Sequence, residues 1–324
     1  MTAGRIQVGF SLLVVWTTVL GGFIPLSSAQ GATYYVAPNG NDSNLGTEVA
    51  PRQTLAAGIA LLKAGDTLFL RQGSYVGSSA FTSLASGTSW DNAVTVRAYD
   101  SETATLTKGA GADSILHVGT DKQYIIFDGL IFDGGAGAAV VVAAPYIRII
   151  NSEIKNSDGQ GILLSTGSGY GQFINLKVHS NGYTWGRGGT RAPDFNHGMY
   201  VTSDGNLIKD SKFHNNAGWG IQAYSSSRTP TDNIFIGNKF YDNAGWGGRG
   251  AGLGIYGTNS IVANNEVWGN RFGIDLNYGA QETGLCGNHS HDNDEYGLII
   301  GSSATSNNRV GVDNEMSGNG VKDV

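Results

Sequence analysis

Asn206–Gly220 reads NLIKDSKFHNNAGWG, and Asn233–Gly247 reads NIFIGNKFYDNAGWG. The same phrase returns twenty-seven positions later. Extending the alignment both ways places a polar residue between two short apolar strands at Ser152, Ser211, Asn238, Asn265, Asn288 and Asn314, with Leu176 as the apolar exception. Successive copies lie from the low twenties to the mid-thirties apart, the period of a solenoid in which each repeat forms one coil. Within a repeat, IFIGNKF alternates apolar and polar residues, and GILLS, GMYVT, GIQAY, GIYG, GIDLN and GLIIG share one glycine-led design. Alternation with no helical period predicts strands throughout.

The composition agrees. Glycine, at 50 of 324 residues, is about twice ordinary usage, while proline numbers only 6. Many glycines with few prolines indicate an ordered chain rich in tight turns. The net charge is -6 and the sequence pI ≈ 5.4, so the basic footprint of a nucleic-acid binder is absent. Met1 to about Ala29 reads as a secretory signal: Arg5 gives a positive start, GFSLLVVWTTVLGGFIPL is mostly apolar, and Ser27-Ser28-Ala29 offers small residues for cleavage. A secreted, extracellular or periplasmic protein is predicted, monomeric and without membrane attachment once the signal is removed. The single cysteine, Cys286, rules out an intramolecular disulfide framework and is expected to face inward as a small apolar residue.

From about Thr33 to its end the chain resembles the right-handed parallel β-helix of the pectate-lyase-like superfamily. The resemblance implies an all-β solenoid of three parallel sheets, with neighbouring strands about 4.8 Å apart. Asn238, Asn265, Asn288 and Asn314 would then face inward as an asparagine ladder, which is architecture rather than chemistry. The opening stretch TYYVAPNGNDSNLGTEVAPRQTLAAGIALLKAGDTLFLRQGSYVG is similar to that of many secreted β-helix proteins, including pectate lyase family nine and its relatives. It implies a strand at Tyr34–Ala37, an amphipathic capping helix from about Thr54 to Leu62 and a strand at Thr67–Arg71. The expected organisation is a signal peptide over 1–30 and one β-helix domain over 31–324. The amino-terminal cap and first coils take 31–110, and regular coils take 111–324.

Alternation along the glycine-led strands sends Met199, Val201, Ile221, Ala223, Ile274 and Leu276 into the bore. Leu163, Tyr200, Gln222, Tyr256, Asp275 and Ile299 would form one outward column, with Thr202, Tyr224 and Asn277 beginning a second. Tyrosines and amides on a flat sheet suit a polysaccharide, the rings stacking on sugars and the polar groups bonding hydroxyls. Insertions at Tyr183–Phe195, Ser225–Asp232 and Ala244–Leu253 add Trp185, Arg187, Arg191, Arg228, Trp246 and Arg249 at the edge of this sheet. Loops that interrupt a regular solenoid are where function is grafted.

Cleaving an acidic polysaccharide by β-elimination needs a cation at the uronate carboxylate, a base for the C5 proton and an acid for the leaving oxygen. The candidate catalytic residues are His197, Tyr200, Tyr256 and Arg249. Tyr224, Gln222, Asp275, Asn277, Arg187, Arg228 and Trp219 are candidates for binding the substrate. Family-nine lyases imply a lysine base and calcium held by clustered aspartates. Here Asp275 is the one acid in the outward column and no outward lysine appears among the glycine-led strands before the terminal one, so that mechanism does not transfer; no cofactor is expected, there being no clear aspartate cluster to support calcium. A glycoside hydrolase, or a carbohydrate-binding surface protein without activity, is the alternative on the same scaffold. His179, His214, Tyr241, Trp268 and His291 share an outward position on another face, but the interposed Tyr241 and Trp268 argue against a metal there.

Overall fold

The computed structural model describes residues 31–182, 196–243, 250–301 and 306–324. The proposed signal over 1–30 therefore lies outside the described residues. Among them the strands form three parallel sheets of 11, 10 and 8 strands. The chain passes from one sheet to the next and returns after each coil, which is the right-handed parallel β-helix. No helix among the described residues is long and apolar enough to cross a membrane.

Along most strands every second residue enters the bore. Phe127, Ile149, Phe173, Ile208, Phe235, Val262 and Leu285 succeed one another behind the eleven-stranded sheet, in register and almost wholly buried. Met199, Val201, Ile221, Ala223, Ile274 and Leu276 fill the bore behind the eight-stranded sheet, where alternation puts them. Near the amino end the expected long helix shrinks to five residues, Leu55–Ile59. Thr54 caps it by accepting from the Ala57 N–H at 3.2 Å, and Leu55 and Ile59 join the core. Cys286, expected inside, is exposed on the outer face of the eleven-stranded sheet.

Turns, more than strands, set the register. Asn238 shows the device: its Oδ1 accepts the Ser211 N–H at 3.0 Å, while its Nδ2 donates to the Ile208 carbonyl at 3.0 Å and to Asn265 Oδ1 at 3.1 Å. The same bonds link Asn265, Asn288 and Asn314. Leu176 cannot extend the row, which therefore begins at Ser211, whose hydroxyl accepts the Leu176 N–H and turns back to the Lys209 carbonyl. The residue before each of these turn positions up to Asn288 takes the left-handed conformation: Asn151, Asn175, Asp210, Gly237, Asn264 and Gly287 all have positive φ. Asparagine, aspartate and glycine tolerate that region best, which explains the Asx-rich turns.

A second ladder escaped the sequence reading. Asn181, Asn216, Asn243, Asn270, Asn293 and Asn319 hand amide hydrogen bonds from coil to coil at 3.0–3.2 Å. It explains the glycine-led strands. A Cβ at Gly198 would stand 2.7 Å from Asn216 Nδ2, and one at Gly161 2.7 Å from Asn181 Nδ2. Only glycine lets the strand pass so close to the amides.

Removing one rung strips partners from two buried groups at once. Asn238→Leu should destabilise the fold by about 2–4 kcal/mol, read as a lowered midpoint in urea. An unchanged midpoint would mean that the ladder carries no stability.

Candidate active site

The outward face of the eight-stranded sheet departs from the expected register at one residue. Leu163, Tyr200, Gln222, Asp275 and Ile299 do share a column, but the position between Gln222 and Asp275 belongs to Gly254, not Tyr256. The stretch Gly252-Leu253-Gly254-Ile255 holds two glycine-apolar pairs, and the strand uses the first to meet the second ladder. Tyr256 moves two residues along, into the column of Thr202, Tyr224 and Asn277, where the Tyr256 N–H donates to the Ala223 carbonyl at 2.9 Å. Over Gly254 lies the Trp219 ring; a Cβ there would come within 2.4 Å of it.

Tyr256 sits in a herringbone of rings. Trp219 and Tyr224 each meet it edge-on at 5.8 Å, and Tyr278 does so at 5.0 Å. Its hydroxyl donates to Asp275 Oδ2 at 2.8 Å. Asp275 itself is only 5% exposed, and its other oxygen, Oδ1, is shut from solvent with no hydrogen-bond partner. Burial pushes its carboxyl up to about 6, against the opposing pull of the Tyr256 hydroxyl. Burial and the neighbouring Asp275 charge together raise the Tyr256 phenol above its ordinary value.

His197 corrects the outward placement expected of it. It is 1% exposed, two residues before the strand Met199–Val201, and its Nδ1 accepts the Trp219 backbone N–H at 3.2 Å. Burial brings its imidazole down to about 3, only partly offset by a hydrogen bond with Gln222. An imidazole this buried and this weakly basic is not a base for substrate. With Nδ1 accepting, the proton sits on Nε2. Gln222 lies between His197 and Tyr256 and acts on both. Trp219, His197, Gln222, Tyr256 and Asp275 thus form one polar wire, whose two ends are the 3.2 Å bond from the Trp219 amide to His197 and the 2.8 Å bond from Tyr256 to Asp275.

Tyr200 is half-buried in the outward column, its ring 5.4 Å from that of His197, and burial raises its phenol. Tyr224, Gln222 and Asn277 also line this face half-buried, whereas Trp219 is nearly covered. Arg228 is committed elsewhere, to an ion pair with Asp204. Arg187 and Arg249, with Trp185, Arg191 and Trp246, lie outside the described residues. Asp275 is the one carboxylate in the outward column, as the alternation indicated. Among the described residues of this column, Asp275 is a single carboxylate with one oxygen already held by Tyr256. The sequence had no signal for the wire, because hydrogen bonds between residues of different coils depend on a register that Gly252–Gly254 leaves ambiguous.

A family model for the Pel9A-like, right handed beta helix region matches residues 34–308. No curated protein sequence matches the chain. Among solved structures, pectate lyase Pel9A superposes with a TM-score of 0.69 at 18% identity, covering 90% of this chain and 80% of that one. A rhamnogalacturonan lyase superposes with a TM-score of 0.63 at 16% identity, covering 82% and 75%. An alginate lyase from Paenibacillus sp. str. FPU-7 gives 0.58 at 17% identity, covering 83% and 96%. At these identities the likeness is one of fold.

The buried acid leaves a thermodynamic signature. A carboxyl whose folded value stands near 6 instead of 3.8 binds its proton more tightly when folded. Its contribution to stability is therefore present below the unfolded value and is lost as pH rises toward 6, costing about 2–3 kcal/mol above it. His197 slopes the other way, because its depressed value removes stability as pH falls below the ordinary histidine range. The difference between Asp275→Asn and the parent isolates the acid. Thermal melts should show the variant gaining on the parent as pH climbs from 4 to 7; parallel curves would refute the raised value.

Proposed function

The chain belongs to the Pel9A-like right-handed β-helix family, and from that premise we propose that it is an exported enzyme that cleaves a uronate-containing polysaccharide by β-elimination, with Asp275 as base. The observation that carries this reading is the unpartnered Oδ1 of Asp275. A buried carboxylate oxygen without a hydrogen bond costs stability, so its persistence in an outward column fits a group reserved for a substrate proton. The lyases among the structural neighbours support the substrate class by analogy of scaffold, and the apolar leader within residues 1–30 supports export.

In this reading the sugar displaces the exposed ring of Tyr278, which is 66% accessible, and packs on Tyr224. Asp275, ionised above pH 6 or so, takes the proton from C5. The electron pair of that C–H bond forms the C4–C5 double bond, and the C4–O bond breaks. The departing oxygen takes the Tyr256 hydroxyl proton, and the phenolate recovers a proton from the now protonated Asp275. The net transfer moves one proton from carbon to the leaving oxygen, with no added water. His197 and Gln222 act at a distance by holding the Tyr256 hydroxyl on Asp275. Arg187 and Arg249 remain the candidates for the uronate carboxylate.

Incubation with a panel of uronate polysaccharides should release products with the ultraviolet absorbance of an unsaturated uronyl group. Asp275→Asn and Tyr256→Phe should each slow that release by about 10²–10⁴-fold, and activity should rise with pH through about 6. New reducing ends without the absorbance would point to hydrolysis instead. A fully active Asp275→Asn would remove the assignment.

A further inference from the structure

On the ten-stranded sheet, away from the candidate active site, His179, His214, Tyr241, Trp268 and His291 form one continuous stack. Successive ring centroids lie 4.8, 4.6, 4.6 and 5.9 Å apart, with planes within 9° of parallel. Because each ring spends its faces on its neighbours, the stack presents edges to solvent and offers no face to a sugar. Its edges are nitrogen and oxygen donors instead.

At the carboxy-terminal end this row meets two further donors. Strand pairing sets Glu266 directly opposite His289, and Trp268 opposite His291. We propose that Glu266, His289 and His291 bind a divalent transition-metal ion of the zinc class, which staples adjacent coils of the sheet together. One ligand atom from each of the three lies within 4.8 Å of the others. Bonds of about 2.1 Å to nitrogen and oxygen bring ligand atoms to roughly 3–3.5 Å from one another, so closure asks for about 1 Å of movement at half-buried side-chain ends.

The surroundings prepare the donors. His291 Nδ1 contacts Asp292 Oδ2 at 2.8 Å, which places the proton on Nδ1 and bares the Nε2 lone pair. That Nε2 is shut from solvent without a hydrogen-bond partner and stands 3.8 Å from Glu266 Oε1. The Lys239 ammonium holds the other oxygen of Glu266 at 2.6 Å, leaving Oε1 for the ion. The Trp268 ring, 8° from parallel, fixes the plane of His291, and the His289 ring lies 4.2 Å from it at an angle of 30°. Glu315, on the next strand, stands 3.9 Å from His289 Nε2 and can complete the shell. Two imidazoles with one or two carboxylates select a borderline ion over calcium or magnesium, which take oxygen ligands.

The test uses the full chain, stripped with chelator and titrated by calorimetry with zinc, and with cobalt followed by its visible absorption. One equivalent should bind saturably, zinc should raise the melting temperature, and calcium should do neither. His289→Ala and His291→Ala should abolish the heat and the absorption while melting like the parent without metal, and Asp292→Asn should weaken binding by about 10–100-fold. His179→Ala should leave binding intact. The proposal falls if no saturable binding occurs, if calcium competes equally, or if binding survives His291→Ala or vanishes in His179→Ala.

Discussion

The turn amides are what this structure depends on. Each coil is a thin triangle of strands of mostly three to five residues, so a buried peptide group at a corner is too far from the strand ladders to be satisfied by them. The next coil supplies the partner. Asn265 accepts from the coil before it and donates to the coil after it, and the second row through Asn216 and Asn243 does the same at another corner. Because every rung is both donor and acceptor, each fixes the height and rotation of its neighbours. The strands then fall into register and the phenylalanines, isoleucines and valines close the bore.

That rigidity lets the outer face carry strain. Asp275 keeps an unpaired oxygen in a nearly dry place, and His197 is held neutral far below its ordinary value, both unfavourable in isolation. A sheet whose backbone is pinned at its turns by amides passed from coil to coil can hold them. The tautomer of His197 is defined because its Nδ1 accepts a backbone N–H, which cannot reverse. The stability lost at Asp275 and the reactivity proposed for it share one cause, the exclusion of water.

Much of this was legible in the residues. The repeat, the alternation and the asparagines at Asn238, Asn265, Asn288 and Asn314 give the solenoid and its first ladder directly. The second ladder was equally present, five residues after the first, but the left-handed Asx turns conceal it among other polar residues. Leu176 shows a ladder can stop where a serine folds its hydroxyl back. The site was less readable: the two glycines at Gly252 and Gly254 offer two registers, and choosing between them needs the clearance around Asn270. Burial of His197 follows from its place before Gly198, at a corner and not on the sheet. Cys286 fell on the outer face because the turn at Gly287 resets the alternation.

Asn181 and Asn216 clasp at 3.0 Å across 35 positions, and Asn270 and Asn293 clasp at 3.2 Å across only 23. The clasp is indifferent to what the chain does between its jaws. Coils of unequal circumference therefore stack without disturbing one another, so segments beside the glycine-led strands are free to lengthen, shrink or change composition while the chassis stays put. Such a scaffold can change what it grips through its excursions alone, with no revision of its frame.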